Sequence, residues 1–251
     1  MKNKVSIITP SYNSSDFIKQ TIESVLNQTY ENWEMIIVDD MSTDNSVEII
    51  ESYIEKSPKD KIRLIQNKTN SGPALTRNEA IKNAKGRYIA FLDSDDLWTP
   101  KKLEKQLHFM QTNNYPFTCT YYNQIDEDGK YLVTIDNVPE KSSYNSSLTL
   151  NKVGCLTAIY DANYFGKIYM DNIAKRQDYA LWLKLLKKTD YVYCFPEVLA
   201  DYRIRKNSVS SNKVKLIKYH WFIYSKNEKL GFLKSAYCTV SYVLKTLLKK
   251  K

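Results

Sequence analysis

Short apolar runs and stretches of helical periodicity alternate along the first half of the chain. Residues 5–10 (VSIITP) form a continuous β-branched run that ends at Pro10, which indicates a buried strand of a parallel sheet. Residues 16–28 place apolar side chains near helical spacing, and residues 33–40 (WEMIIVDD) predict a second buried strand, followed by a helix over roughly 44–56. This alternation predicts an α/β fold with a mostly parallel sheet flanked by helices.

The alternation continues through two further strands that end in polar residues. Residues 62–67 (IRLIQN) predict a third strand, and a helix follows the next Gly-Pro turn, with Gly86 as its C-cap. A fourth strand, residues 87–96 (RYIAFLDSDD), ends in carboxylates. Because ligands of open α/β sheets bind outside the carboxyl ends of the strands, we expect a site at these turns.

The pattern becomes less regular beyond about residue 115. Residues 117–126 and 128–135 predict two strands around a turn that contains Asp-Gly, and residues 137–152 predict a polar loop long enough to suggest a functional segment. The remaining predicted elements are, in chain order, a short strand (154–160), a helix (near 177–188) and a strand (191–204).

Charge is distributed unevenly along the chain. The net charge is +9, yet residues 1–211 contain 27 basic and 27 acidic side chains, whereas residues 212–251 contain ten lysines and one glutamate. This final segment mixes lysines with aromatic and aliphatic residues, which is typical of a basic amphipathic helix on an anionic membrane surface. The alternative is a pair of helices packed on the core with solvated lysines. A nucleic-acid partner is not expected, because the rest of the chain is neutral and lacks a basic-aromatic binding motif.

Composition narrows the class of protein. The hydrophobic fraction of 43% and the charged fraction of 26% are ordinary for a folded domain. The chain has no apolar stretch of about 18 residues and no signal-peptide pattern at its start, so we expect a cytoplasmic protein. Its 4 cysteines form no CxxC pair and its 2 histidines lie in helix-like stretches, so neither set predicts a zinc site or a catalytic triad.

Three carboxylates follow the fourth predicted strand, at Asp93, Asp95 and Asp96. Clustered carboxylates raise one another's pKa unless a cation offsets their charge, and Mg²⁺ or Mn²⁺ prefers such oxygen ligands. A metal ion here would bridge phosphate oxygens and neutralise a departing diphosphate. The alternative is that Asp95 or Asp96 caps the helix that follows.

A second acidic pair, Asp39 and Asp40, ends the second predicted strand. A carboxylate at that position can accept hydrogen bonds from a base N–H or a ribose hydroxyl, as in dinucleotide-binding folds. The alternative is that one of the pair caps the next helix.

Four segments resemble the family 2 glycosyltransferases, an inverting group with the GT-A fold. They are VSIITPSYN, IIVDDMSTDNS, NSGPALTRNEAI and GRYIAFLDSDDLWTPKKL, in the order and spacing of that family. They cover roughly residues 4–105, and RQDYALWLKL and LADYRIRKNSVSS are weaker matches further on. The resemblance implies a GT-A catalytic domain over 1–211, with a nucleotide-binding half (1–105) and an acceptor-binding half (106–211), before a helical extension over 212–251.

The resemblance also implies a set of donor-binding residues. The nucleotide would lie against the first turn and the acidic pair, with Asp40 on the base and Asp39 close by, and a cationic partner from the third helix. The DxD element would be Asp93 and Asp95, with Asp95 the direct metal ligand. The remaining members implied by the family pattern are Pro10, Tyr12 and Arg77. Alternatively, Tyr12 is ordinary surface packing and Arg77 is a charge on a helix surface.

The resemblance assigns the catalytic base to Asp178, the carboxylate in RQDYALWLKLL. Such a base removes the proton from the acceptor hydroxyl and must lie within hydrogen-bond reach of it. The alternative is a simple N-cap for the helix that contains Trp182.

One position departs from the family pattern. Many members carry His in a YRxHxxSxS segment, whereas this chain reads YRIRKNSVS and has Arg205 there. A histidine ligand is therefore excluded at this place, and we expect Arg205 to contact the diphosphate directly.

These features together predict an inverting glycosyltransferase that uses Mn²⁺ or Mg²⁺ and a nucleotide-diphosphate sugar, with UDP-sugar as the expected donor. The expected acceptor is a glycan or lipid-linked saccharide in bacterial surface polysaccharide synthesis, at the inner face of the cytoplasmic membrane. Two alternatives remain. A nucleotidyltransferase normally has a Gly-rich basic loop that TPSYNSSD lacks, and a non-catalytic module would bind the sugar nucleotide without turnover.

Overall fold

The computed structural model describes residues 3–205 and 213–248. Within them the strands are β1 Val5–Ser11, β2 Trp33–Asp39, β3 Ile62–Gln66, β4 Tyr88–Phe91, β5 Leu97–Trp98, β6 Phe117–Ile125, β7 Tyr131–Ile135, β8 Lys141–Ser142, β9 Ile159–Asp161 and β10 Val192–Arg203. The α-helices are α1 Ile18–Leu26, α2 Ser46–Lys56, α3 Pro73–Asn83, α4 Lys102–Asn113, α5 Tyr144–Thr149, α6 Ala162–Phe165, α7 Gln177–Leu186, α8 Lys213–Phe222 and α9 Phe232–Leu248. A 3₁₀ turn spans Cys155–Thr157, and a π-helical turn spans Ile223–Asn227.

The strands form one sheet in the order β3-β2-β1-β4-β9-β6-β10-β5. The first four strands are parallel, as predicted, so their carboxyl ends share one edge. The second half is mixed, because β9 is antiparallel to both β4 and β6. Residues 92–96, which include the carboxylates that follow β4, lead into β5, and β5 pairs antiparallel with β10. The predicted parallel order therefore holds throughout the first half, and the second half combines the parallel pair β6 and β10 with antiparallel pairs.

Two apolar clusters cover the two faces of the sheet. Alternate residues of a strand point to opposite faces, so Ile8 joins one cluster while Ile7 joins the other. Because helices pack on both faces, the central strands are buried along their whole length, which explains their continuous apolar runs. The prediction of an α/β sheet flanked by helices is confirmed.

Gly86 does not have the C-cap role that was predicted for it. Helix α3 ends at Asn83 with Ala84 as its C-cap, before Gly86. A Cβ at Gly86 would lie 2.6 Å from the backbone nitrogen of Ser6. Glycine is therefore needed for the close approach that brings β4 alongside β1.

The predicted polar loop at 137–152 is partly ordered. It contains β8 and the short helix α5, whose N-cap Ser143 accepts a hydrogen bond from the backbone of Ser146. This segment also forms hydrogen bonds with α7 and with the π-helical turn. The hydroxyl of Tyr179 on α7 donates to the carbonyl of Ser147, and that of Tyr224 donates to the carbonyl of Leu148.

The described part of residues 212–251 packs on the rest of the fold. Ile223, Tyr224 and Cys238 share a buried cluster with residues of α7, including Tyr179 and Leu183. This agrees with the alternative of packed helices. Among the residues that the structure describes, no helix has both the length and the apolar composition needed to cross a bilayer.

Candidate active site

The site lies where β1, β2 and β4 end. In the register, Ser11 at the end of β1 is opposite Asp39 at the end of β2, and Ile8 is opposite Phe91 at the end of β4. The carboxylates that follow β2 and β4 therefore lie on either side of the turn after β1. This is the edge at which the sequence predicted a site.

Asp40 is held by the turn that begins helix α3. Its Oδ1 accepts hydrogen bonds from Asn67 Nδ2 (2.7 Å) and the backbone nitrogen of Ser71 (2.9 Å), and its Oδ2 accepts one from the backbone nitrogen of Gly72 (2.8 Å). Gly72 has a φ of 81°, which favours glycine. The carboxylate thus connects β2 to the start of α3.

Asp39 binds within its own turn. It accepts hydrogen bonds from the backbone nitrogen and the hydroxyl of Ser42 at 2.9 and 2.5 Å. Helix α2 begins after Asn45 and receives neither carboxylate as a cap. The alternative that Asp39 or Asp40 caps this helix is therefore wrong, and their contact with the nucleotide stays a prediction.

The turn after β1 is tied to the turn after β2. The backbone nitrogen of Asn13 donates to the hydroxyl of Ser42, and the side chain of Asn13 accepts from the backbone of Thr43. Pro10 is half-buried at the end of β1, while the ring of Tyr12 is 52% exposed at the edge of the site. The exposed ring is available to a ligand, and its predicted role stays open.

Arg77 and Asp93 form a buried ion pair. Arg77 Nη2 lies 2.5 Å from Asp93 Oδ1, and the arginine side chain is only 7% exposed. Burial lowers the pKa of Arg77 most strongly, but the charge of Asp93 and, more weakly, that of Asp178 more than offset it, so the pKa is raised. Arg77 is therefore not a charge on a helix surface.

Asp95 forms an ion pair with Arg205, whose Nε lies 2.8 Å from Asp95 Oδ2. Burial raises the pKa of Asp95 most strongly, followed by the charge of Asp93, while Arg205 lowers it. The guanidinium of Arg205 also lies over the ring of Phe17. Arg205 therefore occupies a cationic position against the carboxylate that was predicted to hold metal.

Asp96, the next residue after Asp95, is buried and has a structural role. Its Oδ1 accepts a hydrogen bond from the backbone nitrogen of Arg203 at 2.9 Å. Burial raises the pKa of Asp96 well above its ordinary value, and the charges of Asp95 and Asp93 add to the effect. Helix α4 begins only at Lys102 and has no side-chain cap, so the alternative of N-capping by Asp95 or Asp96 is wrong.

Asp178 lies in the first turn of α7 and is half-buried. The N-cap of this helix is Arg176, which adopts a left-handed conformation with a φ of 66°. Asp178 is therefore not the cap. It lies within electrostatic range of both Arg77 and Cys155, which brings it to the Asp93 side of the site.

The sequence analysis missed two residues of the site. Cys155 lies among the charged residues: burial raises the pKa of its thiol most strongly, and Asp93 adds to this. Arg203 is 2% exposed and donates from Nε to the carbonyl of Asp95 at 2.9 Å. Arg203 lies two residues before Arg205 in YRIR. The available signal was an arginine within a predicted buried strand, because a buried guanidinium needs hydrogen-bond partners.

The side chains available at this site determine whether a metal ion could bind there. The described residues contain no group of three or more histidine, cysteine, aspartate or glutamate side chains that could hold one. Asp93 and Asp95 each have one oxygen on a guanidinium. Mg²⁺ is usually bound through one or two carboxylates plus substrate phosphates. The residues therefore fit a cation completed by a diphosphate, rather than one enclosed by protein alone.

Known proteins share this fold and sequence. The family model described as "Glycosyl transferase family 2" matches residues 6–166. TuaG of Bacillus subtilis (strain 168), assigned by its name to teichuronic acid biosynthesis as a glycosyltransferase, is 46% identical over 250 residues, covering 100% of this chain and 98% of that protein. WfgD of Escherichia coli, named a UDP-Glc:alpha-D-GlcNAc-diphosphoundecaprenol beta-1,3-glucosyltransferase, is 39% identical over 222 residues, covering 86% of this chain and 83% of that protein.

Solved structures agree on the fold. TarS of S. aureus in complex with UDP-GlcNAc superposes with a TM-score of 0.73 at 24% identity, covering 88% of this chain and 65% of that chain. The mannosyltransferase PcManGT of Pyrobaculum calidifontis, in complex with GDP-Man and Mn²⁺, gives a TM-score of 0.70 at 15% identity, covering 96% of this chain and 73% of that chain. The GT-A fold and the resemblance are confirmed. From this family match, the near full-length relatives and the shared fold, we conclude that the chain belongs to the family 2 glycosyltransferases and is a glycosyltransferase.

Proposed function

We propose that the protein transfers a hexose from a UDP-sugar to a hydroxyl of a lipid-linked saccharide, with inversion, during synthesis of a bacterial surface polysaccharide. Support comes from the names of two relatives, since TuaG is named for teichuronic acid biosynthesis and WfgD is named for UDP-Glc and a diphosphoundecaprenol acceptor. The work would take place at the inner face of the cytoplasmic membrane.

The nucleotide would bind over the ends of β1 and β2. An ionised carboxylate has about four lone-pair sites, and the chain fills three of those on Asp40. The remaining site can accept a base N–H. Asp39 lies beside it near the ribose, while Pro10 and the exposed ring of Tyr12 form the wall of the site.

The diphosphate would bind at Asp93, Asp95 and Arg205. Mn²⁺ or Mg²⁺ held by Asp95, with Asp93 near, would neutralise charge on the departing diphosphate. Arg205 adds a fixed positive charge at the same place, because its planar guanidinium matches phosphate oxygens. Arg77 holds Asp93 in position from beneath.

Asp178 would act as the general base. It takes the proton of the acceptor hydroxyl, whose oxygen attacks the anomeric carbon of the donor. The bond between that carbon and the β-phosphate oxygen breaks, and its electron pair leaves with the nucleotide diphosphate. A single displacement of this kind inverts the anomeric configuration.

The observation that carries the proposal is that Asp93 pairs with the buried guanidinium of Arg77 while Asp178 lies within electrostatic range of the same guanidinium. Three elements distant in the sequence supply these groups. A base on one side and a diphosphate-binding carboxylate on the other is the arrangement that an inverting displacement needs.

The test is transfer by the purified full-length protein from UDP-glucose, UDP-GlcNAc or GDP-mannose to a lipid diphosphate-linked GlcNAc, with the product anomer determined by NMR. We expect a UDP-sugar to be used and the new linkage to be β from an α-linked donor. Release of pyrophosphate would indicate a nucleotidyltransferase. Tight donor binding without transfer or hydrolysis would favour the non-catalytic module.

A further inference from the structure

Helix α9 exposes its large apolar side chains instead of burying them. Leu233, Tyr237, Val240 and Leu244 are 83%, 66%, 56% and 53% exposed. Their spacing of four, three and four residues places them on one stripe along the helix. An ordinary surface helix turns such a stripe toward the core.

The opposite face of α9 is the buried one, and most of its side chains are small. Ser235, Cys238 and Thr239 are almost fully covered, and Tyr242 stacks on His220 with ring centroids 3.8 Å apart. Most of the bulky groups of this interface come from α7 and from the segment before α9, and Tyr242 is the large side chain that α9 contributes. Packing on the core therefore leaves the apolar stripe without a partner among the described residues.

A further exposed aromatic side chain lies beside the stripe at the start of the helix. Phe232 is 74% exposed, and its ring lies 5.5 Å from that of Trp221. Contiguous exposed apolar patches of this kind mark protein or membrane interaction sites.

Within the described part of residues 212–251, the exposed charges have one sign. Lys218, Lys226, Lys229 and Lys234 are exposed within the described part of the extension. Glu228, the one acidic residue of residues 212–251, has a buried side chain that pairs with Lys187 at 2.6 Å. The exposed charges near α9 are thus lysines, which complement an anionic surface.

We propose that the exposed stripe of α9 and its lysines dock the enzyme on an anionic lipid bilayer, with α9 lying in the interface plane. This proposal rests on the proposed function, because a lipid-linked acceptor is presented at such a surface. Helix α9 packs on α5, and both belong to the assembly that holds α7. Asp178 lies in the first turn of α7, so docking would hold the fold that carries the proposed catalytic base at the membrane that presents the acceptor.

The experiment is co-sedimentation of the full-length protein with vesicles of phosphatidylcholine alone or mixed with phosphatidylglycerol. We expect binding to the anionic vesicles that falls with added salt. The double variant Leu233→Gln, Leu244→Gln should bind at least about tenfold more weakly than wild type. The reason is that binding no longer transfers two large apolar side chains from water into the bilayer. The matched control is Leu132→Gln, Val133→Gln on strand β7, whose side chains are also exposed at 49% and 44%.

Three outcomes would overturn the proposal: wild-type protein that does not bind anionic vesicles, a stripe variant that binds as well as wild type, or a stripe variant that turns a wild-type dimer into a monomer in sedimentation velocity. The last would show that a second copy covers the stripe. Both variants must give the wild-type circular dichroism spectrum and melting temperature.

A water-soluble acceptor with a short lipid separates this proposal from the proposed function. The stripe variant should transfer to it at the wild-type rate while losing transfer to acceptor embedded in vesicles. If wild type transfers to no acceptor yet still binds vesicles through the stripe, the proposed function fails and the docking surface stands. If wild type transfers to the soluble acceptor but ignores vesicles, the docking surface fails alone.

Discussion

Arg205 Nε lies 2.8 Å from Asp95 Oδ2 in an ion pair, so the carboxylate predicted to hold a metal ion is paired with a side chain. Burial and Asp93 raise the pKa of Asp95, and the guanidinium counters that rise. A positive charge is therefore built into the place where a diphosphate would need one. A metal ion at Asp95 would have to share this carboxylate with Arg205.

Replacing Arg205 should weaken the enzyme toward its donor. We expect Arg205→Ala to reduce kcat/KM by about 10²-fold, because one fixed charge on the leaving diphosphate is lost. The same variant should need less Mn²⁺ for half-maximal rate, since Asp95 no longer shares its charge. Rates measured across a Mn²⁺ series check both effects, with Arg205→Lys as the variant that keeps the charge. An unchanged Mn²⁺ requirement would contradict a shared carboxylate.

Replacing Asp178 should remove the chemistry and leave donor binding intact. We expect Asp178→Asn to lower kcat by about 10³-fold, within the range for loss of a general base. The dissociation constant for UDP, measured by calorimetry, should stay within about twofold of wild type. Asp190→Asn, at an exposed position beyond the end of α7, is the matched control. A kcat near that of wild type would remove Asp178 from the base role.

Breaking the pair of Arg77 and Asp93 should destabilise the fold. We expect Arg77→Met to lower the free energy of unfolding by about 3 kcal/mol, because Asp93 loses its buried partner. The double variant Arg77→Met, Asp93→Asn should recover part of that loss, since no unpaired charge remains. Urea unfolding of the two single variants and the double variant measures the coupling. Strict additivity of the losses would show that the two side chains are independent.

The buried amine of Lys102 should make stability depend on pH. Burial lowers its pKa from 10.5 to about 7, so the unfolded chain binds one more proton than the folded one between these values. Stability therefore rises with pH across this window. Lys102→Met removes the titrating amine. We expect the stability advantage of this variant over wild type to shrink by about 2 kcal/mol between pH 7.0 and 8.5, because the amine raises stability with pH only in the wild type. Urea unfolding at both pH values gives this difference, and a constant difference would refute a neutral buried lysine.

The ring of His220 should make the C-terminal helices sensitive to acid. Burial, with a smaller effect of Arg176, lowers the pKa of His220 to about 3 from 6.5. Protons then bind preferentially to the unfolded chain, and stability falls as pH drops from about 6.5 toward 3. Because Nε2 is buried without a hydrogen-bond partner, His220→Phe should fold. Between pH 7 and 5 wild type should lose about 2 kcal/mol relative to this variant in thermal or urea unfolding; equal losses would place the acid sensitivity elsewhere.

Much of the candidate site could be predicted because its residues follow strands. Asp39 and Asp93 end apolar runs that can only be buried strands, and the parallel order brings their ends to one edge. The local sequence pattern did not identify the residues that cap the helices. It allowed Asp95, Asp96 or Asp178 to cap a helix, but a helix start depends on where the backbone turns, and that is decided by packing.

Contacts between distant segments could not be predicted in the same way. Nothing near Arg203 in the chain indicates that its guanidinium would bind the carbonyl of Asp95, and nothing near Cys155 indicates that it lies within electrostatic range of Asp93. These pairs form because β10, the 3₁₀ turn and the strand ends meet in the folded sheet. The boundary between the two halves of the catalytic domain stays a prediction.

The sequence by itself determined the α/β alternation, the acidic strand ends and the membership of the family, because each is written in local periodicity or in contiguous motifs. Only the tertiary structure decided which charges meet. It paired Arg205 with Asp95 and brought Asp178 toward Arg77. It also turned Leu233 and Leu244 outward, because periodicity defines the apolar stripe of a helix, whereas the space left by neighbouring elements decides which face is buried.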